Sequence, residues 1–315
     1  GVEDPTVRVL DMSRLGPILT GDVSALDGGP PVTAMLVQSS NPAAVAPESA
    51  KVREGLLDEQ MFLCVHEQFL TDTAKLADVI LPATTFLEHD DFYMSYGHSF
   101  LQLSPKVLEP AGQSLSNHDM LSALANRLGV SNPLFNMSTW DVMDEVLKSN
   151  GLGSAAELKK KRLIDVAPAF EEAHFLLGFP QPDGRFQFKV DWSKHGPDHV
   201  GLPSLPDFAE IIDDIKEDRA YRLITGPSRN FLNTTFTETR TSTVKEGTPA
   251  LLVHRDDLKE LTLSPGDLVR VGNEKASIVI RAEACDAVKP GVVIIEGIWP
   301  NSAFKEGIGV NALIS

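Results

Sequence analysis

TDTAKLADVILPATTFLEHDD, residues 71 to 91, decides how the chain is read. A short helical start, with Thr71 as its N-cap, runs into the apolar triplet Val79-Ile80-Leu81. Pro82 stops that run, and the residues after it are small, hydroxylated and acidic. A buried strand that ends abruptly in a polar loop is expected where the loop lies at the carboxyl edge of a parallel sheet and holds a ligand.

Working outward, VTAMLVQ (32–38) and MFLCVH (61–66) are apolar runs suited to strands buried on both faces. Between them PESAKVREGLL (47–57) has helical spacing, with Pro47 near its start. Strand, helix, strand, short helix and third strand predict a doubly wound parallel α/β sheet. LSNHDMLSALANRLG (115–129) predicts an amphipathic helix capped by Ser116 or Asn117 and closed by Gly129. Ser138 with Asp141 and Ser154 with Glu157 have capping-box spacing, so a helical connector is expected next. Residues 178–206 are rich in Gly and Pro and are expected to form a linker. From Tyr221 onward the pattern turns to short β runs: YRLIT, PALLVH, DLVRVG, ASIVIRAEA and GVVIIEG. The helix RDDLKEL interrupts them, and SPGD (264–267) marks a turn. Such punctuation suggests a small barrel.

A length of 315 residues suits two or three domains. The formal net charge of −16 argues against wholesale binding to nucleic acid or an anionic membrane, so an anionic ligand needs local donors. No apolar run is long enough to span a membrane. The two cysteines, Cys64 and Cys285, lie far apart and form no CxxC, so a metal held by protein ligands is not expected. The chain starts at Gly1 and stops at an apolar segment, which suggests a piece cut from a longer protein.

Ligand chemistry is expected beyond the three strand ends, at Asn41, at His66 with Glu67, and at His89. A carboxylate such as Glu67 accepts two N–H bonds from a guanine-like edge or binds a ribose diol. Simpler roles compete: Asn41-Pro42 is a common turn pair, and His89 can face solvent. GxGxxG, GxSxG, HExxH and Walker-type loops are all absent, and no nucleophile–base pair is legible. A second candidate is TGPSRNFLNTTFTETR (225–240), dense in hydroxyls and amides, whose charged residues sum to +1. Short donors beside glycine can cradle a pyrophosphate through backbone N–H groups.

SSNP, HEQFLTDTAKLADVILPATTFLEHDD and LITGPSRNFLNTTF, then GDLVRV, VKPGVVII and GVNALI, resemble the C-terminal half of the molybdopterin oxidoreductases. That family includes dimethyl sulfoxide reductase, formate dehydrogenase and nitrate reductase. The resemblance covers essentially the whole chain. It implies a connecting segment over 1–32 and an αβα dinucleotide-binding domain over 33–130. A helical connector over 131–218 and a double-psi β-barrel domain over 219–315 complete the expected organisation. The implied ligand is molybdopterin guanine dinucleotide, two per full enzyme, with molybdenum or tungsten. The implied contacts are Asn41, His66, Glu67, His89, Asn117, Thr225, Gly226, Arg229, Asn233, Thr234 and Asn311. Pro227 stands where many relatives have Arg after Thr-Gly, with Arg229 two places on as the compensating cation. The iron–sulfur cysteines and the metal-ligating residue of the family fall in its N-terminal half and match nothing here. The chain alone is therefore expected to be inactive. The resemblance further implies a small-molecule substrate and an electron-transfer subunit; the cytoplasm is the expected compartment, with the periplasm as alternative. The competing expectations are a non-catalytic nucleotide- or protein-binding module and an adaptor like the barrels of protein-remodelling ATPases.

Overall fold

The computed structural model describes residues 7–192, 202–207 and 221–314. Part of the expected linker, 193–201, lies outside the described residues. The chain divides into two compact units. One joins residues 1–82 to 212–315, and the other is the intervening segment 83–211.

The first part of the discontinuous unit is built on three parallel strands in the order β1 (Ala34–Gln38), β2 (Phe62–Glu67) and β3 (Val79–Pro82). Helices α1 (Leu15–Leu19), α2 (Pro42–Val45) and α3 (Ser49–Leu56) accompany them. Leu19, Val37, Val52, Leu56, Leu63 and Val65 form the core on one sheet face. The stretch at 71–77 is a single 3-10 turn, Ala74–Leu76, and Thr71 Oγ1 accepts from Ala74 N at 3.2 Å. The sequence expectation that these strands are buried on both faces is corrected here. Register places Leu36, Cys64 and Val79 in one row, with Phe62 on the same side. Leu36 (39%), Phe62 (51%) and Val79 (39%) are exposed, because the core packs on the opposite side. Ile80, on the edge strand, is 46% exposed.

The second unit holds an antiparallel sheet, β4 (Asp91–Tyr93), β5 (Phe100–Ser104) and β6 (Leu163–Asp165), with β5 central. Its helices are α4 (Asn117–Leu128), α5 (Thr139–Ser149), α6 (Ala155–Lys161) and the short α7 (Phe170–Ala173). Ser116 caps α4, its Oγ accepting from Asp119 N at 3.1 Å, and Gly129 closes the helix at φ +70°. Both expected capping boxes form. Leu101, Leu147 and Leu158 are the centre of this unit's core.

The remainder of the discontinuous unit carries a five-stranded mixed sheet. Its strands are β7 (Arg222–Gly226), β8 (Ala250–Val253), β9 (Leu268–Gly272), β10 (Ser277–Ala284) and β11 (Val292–Glu296), in the order β7-β11-β8-β10-β9. The pairs β7·β11 and β8·β10 are parallel, and the other two are antiparallel. Helices α8 (Arg240–Glu246) and α9 (Arg255–Glu260) interrupt the strands. Pro265 and Gly266 (φ +97°) make the expected turn, closed by Asp267 N on Ser264 O at 3.1 Å.

Buried amides tie the two parts of this unit together. Asn301 N donates to Asp72 Oδ2 at 2.8 Å, and its Nδ2 donates to Ala43 O at 3.1 Å. Asn301 Oδ1 in turn accepts from Gly309 N at 2.8 Å. Lys275 adds an ion pair to Glu48 at 2.6 Å.

Candidate functional site

In the discontinuous unit Asn41, His66, Glu67, Thr225 and Gly226 fall at or just beyond strand ends. Asn41 stands directly before α2 and is 7% exposed. Its Oδ1 accepts from Thr73 N at 3.0 Å and from Thr73 Oγ1 at 2.8 Å. The Thr73 hydroxyl accepts in turn from Ala43 N at 3.0 Å. Asn311 works at the other end of α2, its Nδ2 donating to Ala44 O (2.9 Å) and Val45 O (3.1 Å). Both asparagines thus hold α2 in place. The bonds that Asn41 makes to Thr73 engage its oxygen and leave the Nδ2 donor out of that contact.

His66, fully buried, has its Nδ1 3.4 Å from Gln38 Nε2 on the neighbouring strand end. Glu67, the last residue of β2, is half-buried, and its Oε1 accepts from Gln68 N at 2.7 Å. Burial pushes the Glu67 carboxyl above the usual range, and the nearby negative charge of Glu238 raises it further. The Gln68 hydrogen bond acts in the opposite direction. Glu238 belongs to the polar segment after β7. Both carboxylates belong to the same compact unit.

The segment after β7 is held at defined points. Gly226 O accepts from Gly297 N at 2.7 Å, and the Asn230 backbone N–H and Nδ2 both donate to Glu246 Oε1, the latter at 2.7 Å. Leu232 and Thr235 exchange backbone hydrogen bonds of 3.1 and 2.9 Å, which puts Asn233 (φ +51°) and Thr234 at the tip of a tight turn. Asparagine tolerates that left-handed conformation better than most residues. Thr225, Arg229 and Asn233 are exposed. Gly226 is informative for what it lacks. Its φ is not left-handed, and a Cβ built there meets no atom within 4 Å. The fold itself therefore does not demand glycine at this position.

His89 and Asn117 lie in the other unit, where the structure brings them together. Both line a cavity of 220 Å³ with Asp91, Phe92, His118 and Val142. His89 Nδ1 is 2.8 Å from Thr84 Oγ1, and its Nε2 is 3.5 Å from Tyr93 Oη. Asn117 is the first residue of α4, and Ser116 is the cap, so the Asn117 amide is not spent on capping. The walls are one aromatic and several other apolar side chains, with imidazole, amide, hydroxyl and carboxylate groups among them. That combination suits a planar, hydrogen-bonding ring.

Sequence reasoning does not find Glu238 as a partner of Glu67, nor Gly297 against the 225–240 segment. In the sequence Glu238 is only one charge in a polar loop. Neither pairing leaves a local pattern, because each depends on residues brought together across the fold.

Comparison with known proteins gives the same outline. Residues 24–127 match the family model "Molybdopterin oxidoreductase", and residues 221–315 match "Molydopterin dinucleotide binding domain". The chain is 32% identical over 311 residues to the probable oxidoreductase YoaE of Bacillus subtilis, covering 98% of this chain and 44% of that protein. It is 29% identical to dimethyl sulfoxide/trimethylamine N-oxide reductase of Rhodobacter capsulatus, over 75% of this chain and 32% of that one. Among solved structures, acetylene hydratase from Pelobacter acetylenicus superposes with a TM-score of 0.77 at 19% identity, over 96% of this chain and 43% of that chain. The chain spans less than half the length of each of these relatives. In fold, in segment order and in sequence, it belongs to the molybdopterin oxidoreductase family.

Proposed function

We propose that this chain is the cofactor-holding portion of a molybdenum or tungsten oxidoreductase that binds molybdopterin guanine dinucleotide. The observation that carries this reading is the open space at Gly226. A glycine that neither backbone nor packing requires, at the end of β7 and beside a donor-rich segment, leaves room for a bulky group to approach the main chain.

The residues present fit such a group. Thr225, Gly226, Asn233 and Thr234 offer short hydroxyls, amides and main-chain donors, and Arg229 is an exposed cation nearby for phosphate. Glu67, with its carboxyl partly desolvated, accepts N–H groups of a base or the hydroxyls of a ribose. Taken by itself, the other unit offers edge contacts for a ring from Asn117 and His89, in a cavity of single-ring size. Asn41 and Asn311 fix α2 and so set the position of the first strand end, and His66 is the buried neighbour of Glu67. When bound, the metal and its dithiolene ligands supply two-electron redox chemistry. This chain binds the dinucleotide, orients it and sets its electrostatic surroundings. The two parallel pairs within the mixed sheet support a double-psi barrel over 219–315 as one cofactor lobe. The parallel sheet, residues 34–82, supports the first part of an αβα domain over 33–130 as the other. In the whole protein we infer a small-molecule substrate, an electron-transfer partner and a cytoplasmic location.

The test is cofactor content. The whole protein is purified from cells supplied with molybdate or tungstate, and oxidised-pterin fluorescence and released guanine nucleotide are measured per chain. Wild type is expected to carry both, and Gly226→Val to carry about tenfold less, the effect of roughly 1.4 kcal/mol of lost binding. Wild type without pterin overturns the reading, as does full loading of the valine variant.

A further inference from the structure

Gly297, the residue after β11, lies directly against the side chain of Ser228. A Cβ built at Gly297 would lie 2.8 Å from Ser228 Cβ and 2.9 Å from Ser228 Oγ. Both distances are shorter than non-bonded carbon and oxygen atoms tolerate. The Ser228 hydroxyl is enclosed there and finds no hydrogen-bond partner among the described residues. The Trp299 indole N–H, 3.6 Å from the same Cβ position, already donates to Glu296 O at 2.9 Å. No directional bond therefore holds the Ser228 side chain against β11. Its place is set by shape, and the shape is the missing side chain of Gly297. Two further contacts bracket the spot. Gly297 N donates to Gly226 O at 2.7 Å, and the Trp299 ring meets Phe231 edge-on at a centroid distance of 4.9 Å.

We propose that Gly297 is a positioning residue: its bare Cα seats Ser228 on β11 and so fixes the pose of residues 225–231. The consequence for ligand binding rests on the function proposed above, because it is this segment that would present Thr225, Gly226 and Arg229 to the dinucleotide. The clasp itself is a property of the chain alone.

The chain carries its own control. Gly291 has the same φ as Gly297, +79°, yet a Cβ there meets nothing within 4 Å. Gly291→Ala therefore introduces the left-handed backbone strain of a non-glycine residue without the contact, whereas Gly297→Ala introduces both.

Hydrogen exchange of the peptide spanning 225–240 is measured by mass spectrometry on the full chain without ligand. Gly297→Ala is expected to speed exchange about tenfold, on the scale of one overpacked contact. Gly291→Ala should leave this peptide at the wild-type rate. In the Ser228→Gly background the effect of Gly297→Ala should shrink to about threefold or less, since the clashing atoms are gone. Equal acceleration in both backgrounds, no acceleration, or equal acceleration by Gly291→Ala overturns the clasp. Should Gly297→Ala not fold, Ser228→Val crowds the same contact from the other side and leaves β11 intact. It must then open the peptide, and unchanged exchange overturns the proposal. Pterin content of the whole protein is read in parallel. Reduced content in Gly297→Ala but not in Gly291→Ala supports the link to cofactor. Normal content in an opened Gly297→Ala overturns that link. A confirmed clasp in a whole protein that never carries pterin overturns the functional reading and not the clasp.

Discussion

Asn301 is where a single side chain should matter most for the discontinuous unit. It is 4% exposed. Replacement by alanine deletes Nδ2, the 3.1 Å donor to Ala43 O, and Oδ1, the 2.8 Å acceptor for Gly309 N. The backbone bond from Asn301 N to Asp72 survives the substitution. Two buried main-chain groups are thus left without these partners, and each costs about 1–3 kcal/mol. A total of about 3 kcal/mol is expected. With a urea dependence of about 2 kcal/mol/M, the unfolding midpoint of this unit should fall by about 1.5 M. The assay is urea unfolding monitored by the fluorescence of Trp299, with Trp140 and Trp192 replaced by phenylalanine so that only this unit reports. Asn301→Asp is the sharper variant. It keeps the acceptor for Gly309 but turns a carboxylate oxygen toward the Ala43 carbonyl, close to Asp72, and should cost more than alanine. A midpoint shift below about 0.3 M, equivalent to roughly 0.6 kcal/mol, for Asn301→Ala would refute the claim that these bonds join the two parts of the unit.

Two other outcomes are expected. Folding raises the Glu67 carboxyl, so the folded chain binds that proton more tightly than the unfolded chain. Its contribution to stability is therefore present below the ordinary carboxylate range and is lost as pH rises through the raised value. Glu238→Gln should move the Glu67 titration downward in a carbon-13 NMR experiment, yet leave it above the ordinary value because burial is the larger cause; an unmoved titration would show that the two carboxylates do not feel each other. Gly55 in α3 lies against Leu19 of α1, where an added Cβ would overlap that side chain. Gly55→Ala should destabilise by about 1–3 kcal/mol in thermal unfolding, although alanine is the better helix former by about 1 kcal/mol; a stabilised variant would mean the helices do not approach so closely.

Much of this architecture is legible because it is written in short-range signals. The apolar runs at 32–38 and 61–66 and the triplet Val79-Ile80-Leu81 correspond to β1, β2 and β3. All five β runs after Tyr221 correspond to β7 to β11. The boxes at Ser138 and Ser154 form because serine three residues before a carboxylate satisfies helix-end donors whatever the tertiary context. The features that escape are those that tertiary context decides. The strands β4 and β6 are three residues each, too short for a period to show. Helix α8 is built from Arg-Thr-Ser-Thr-Val-Lys-Glu, in which hydroxylated and β-branched residues argue against a helix. The exposed row of Leu36, Phe62 and Val79 has the composition of a buried strand, and composition does not say on which face a helix will pack. At the candidate site the residue types are legible, but their employment is not. Asn41 and Asn311 spend hydrogen bonds on α2 and its surroundings, and for Asn311 that role is visible only once residues 267 positions apart are neighbours.

Because residues 83–211 interrupt a unit made from the segments on either side of them, the chain cannot finish that unit until its last third has left the ribosome. Asp72 and Asn301 are 229 residues apart. At 5–20 residues per second the first of the pair waits roughly 10–45 seconds for the second. During that interval the Asp72 carboxylate and the Ala43 carbonyl lack the donors that Asn301 later brings, so the early segment stays incomplete while it waits.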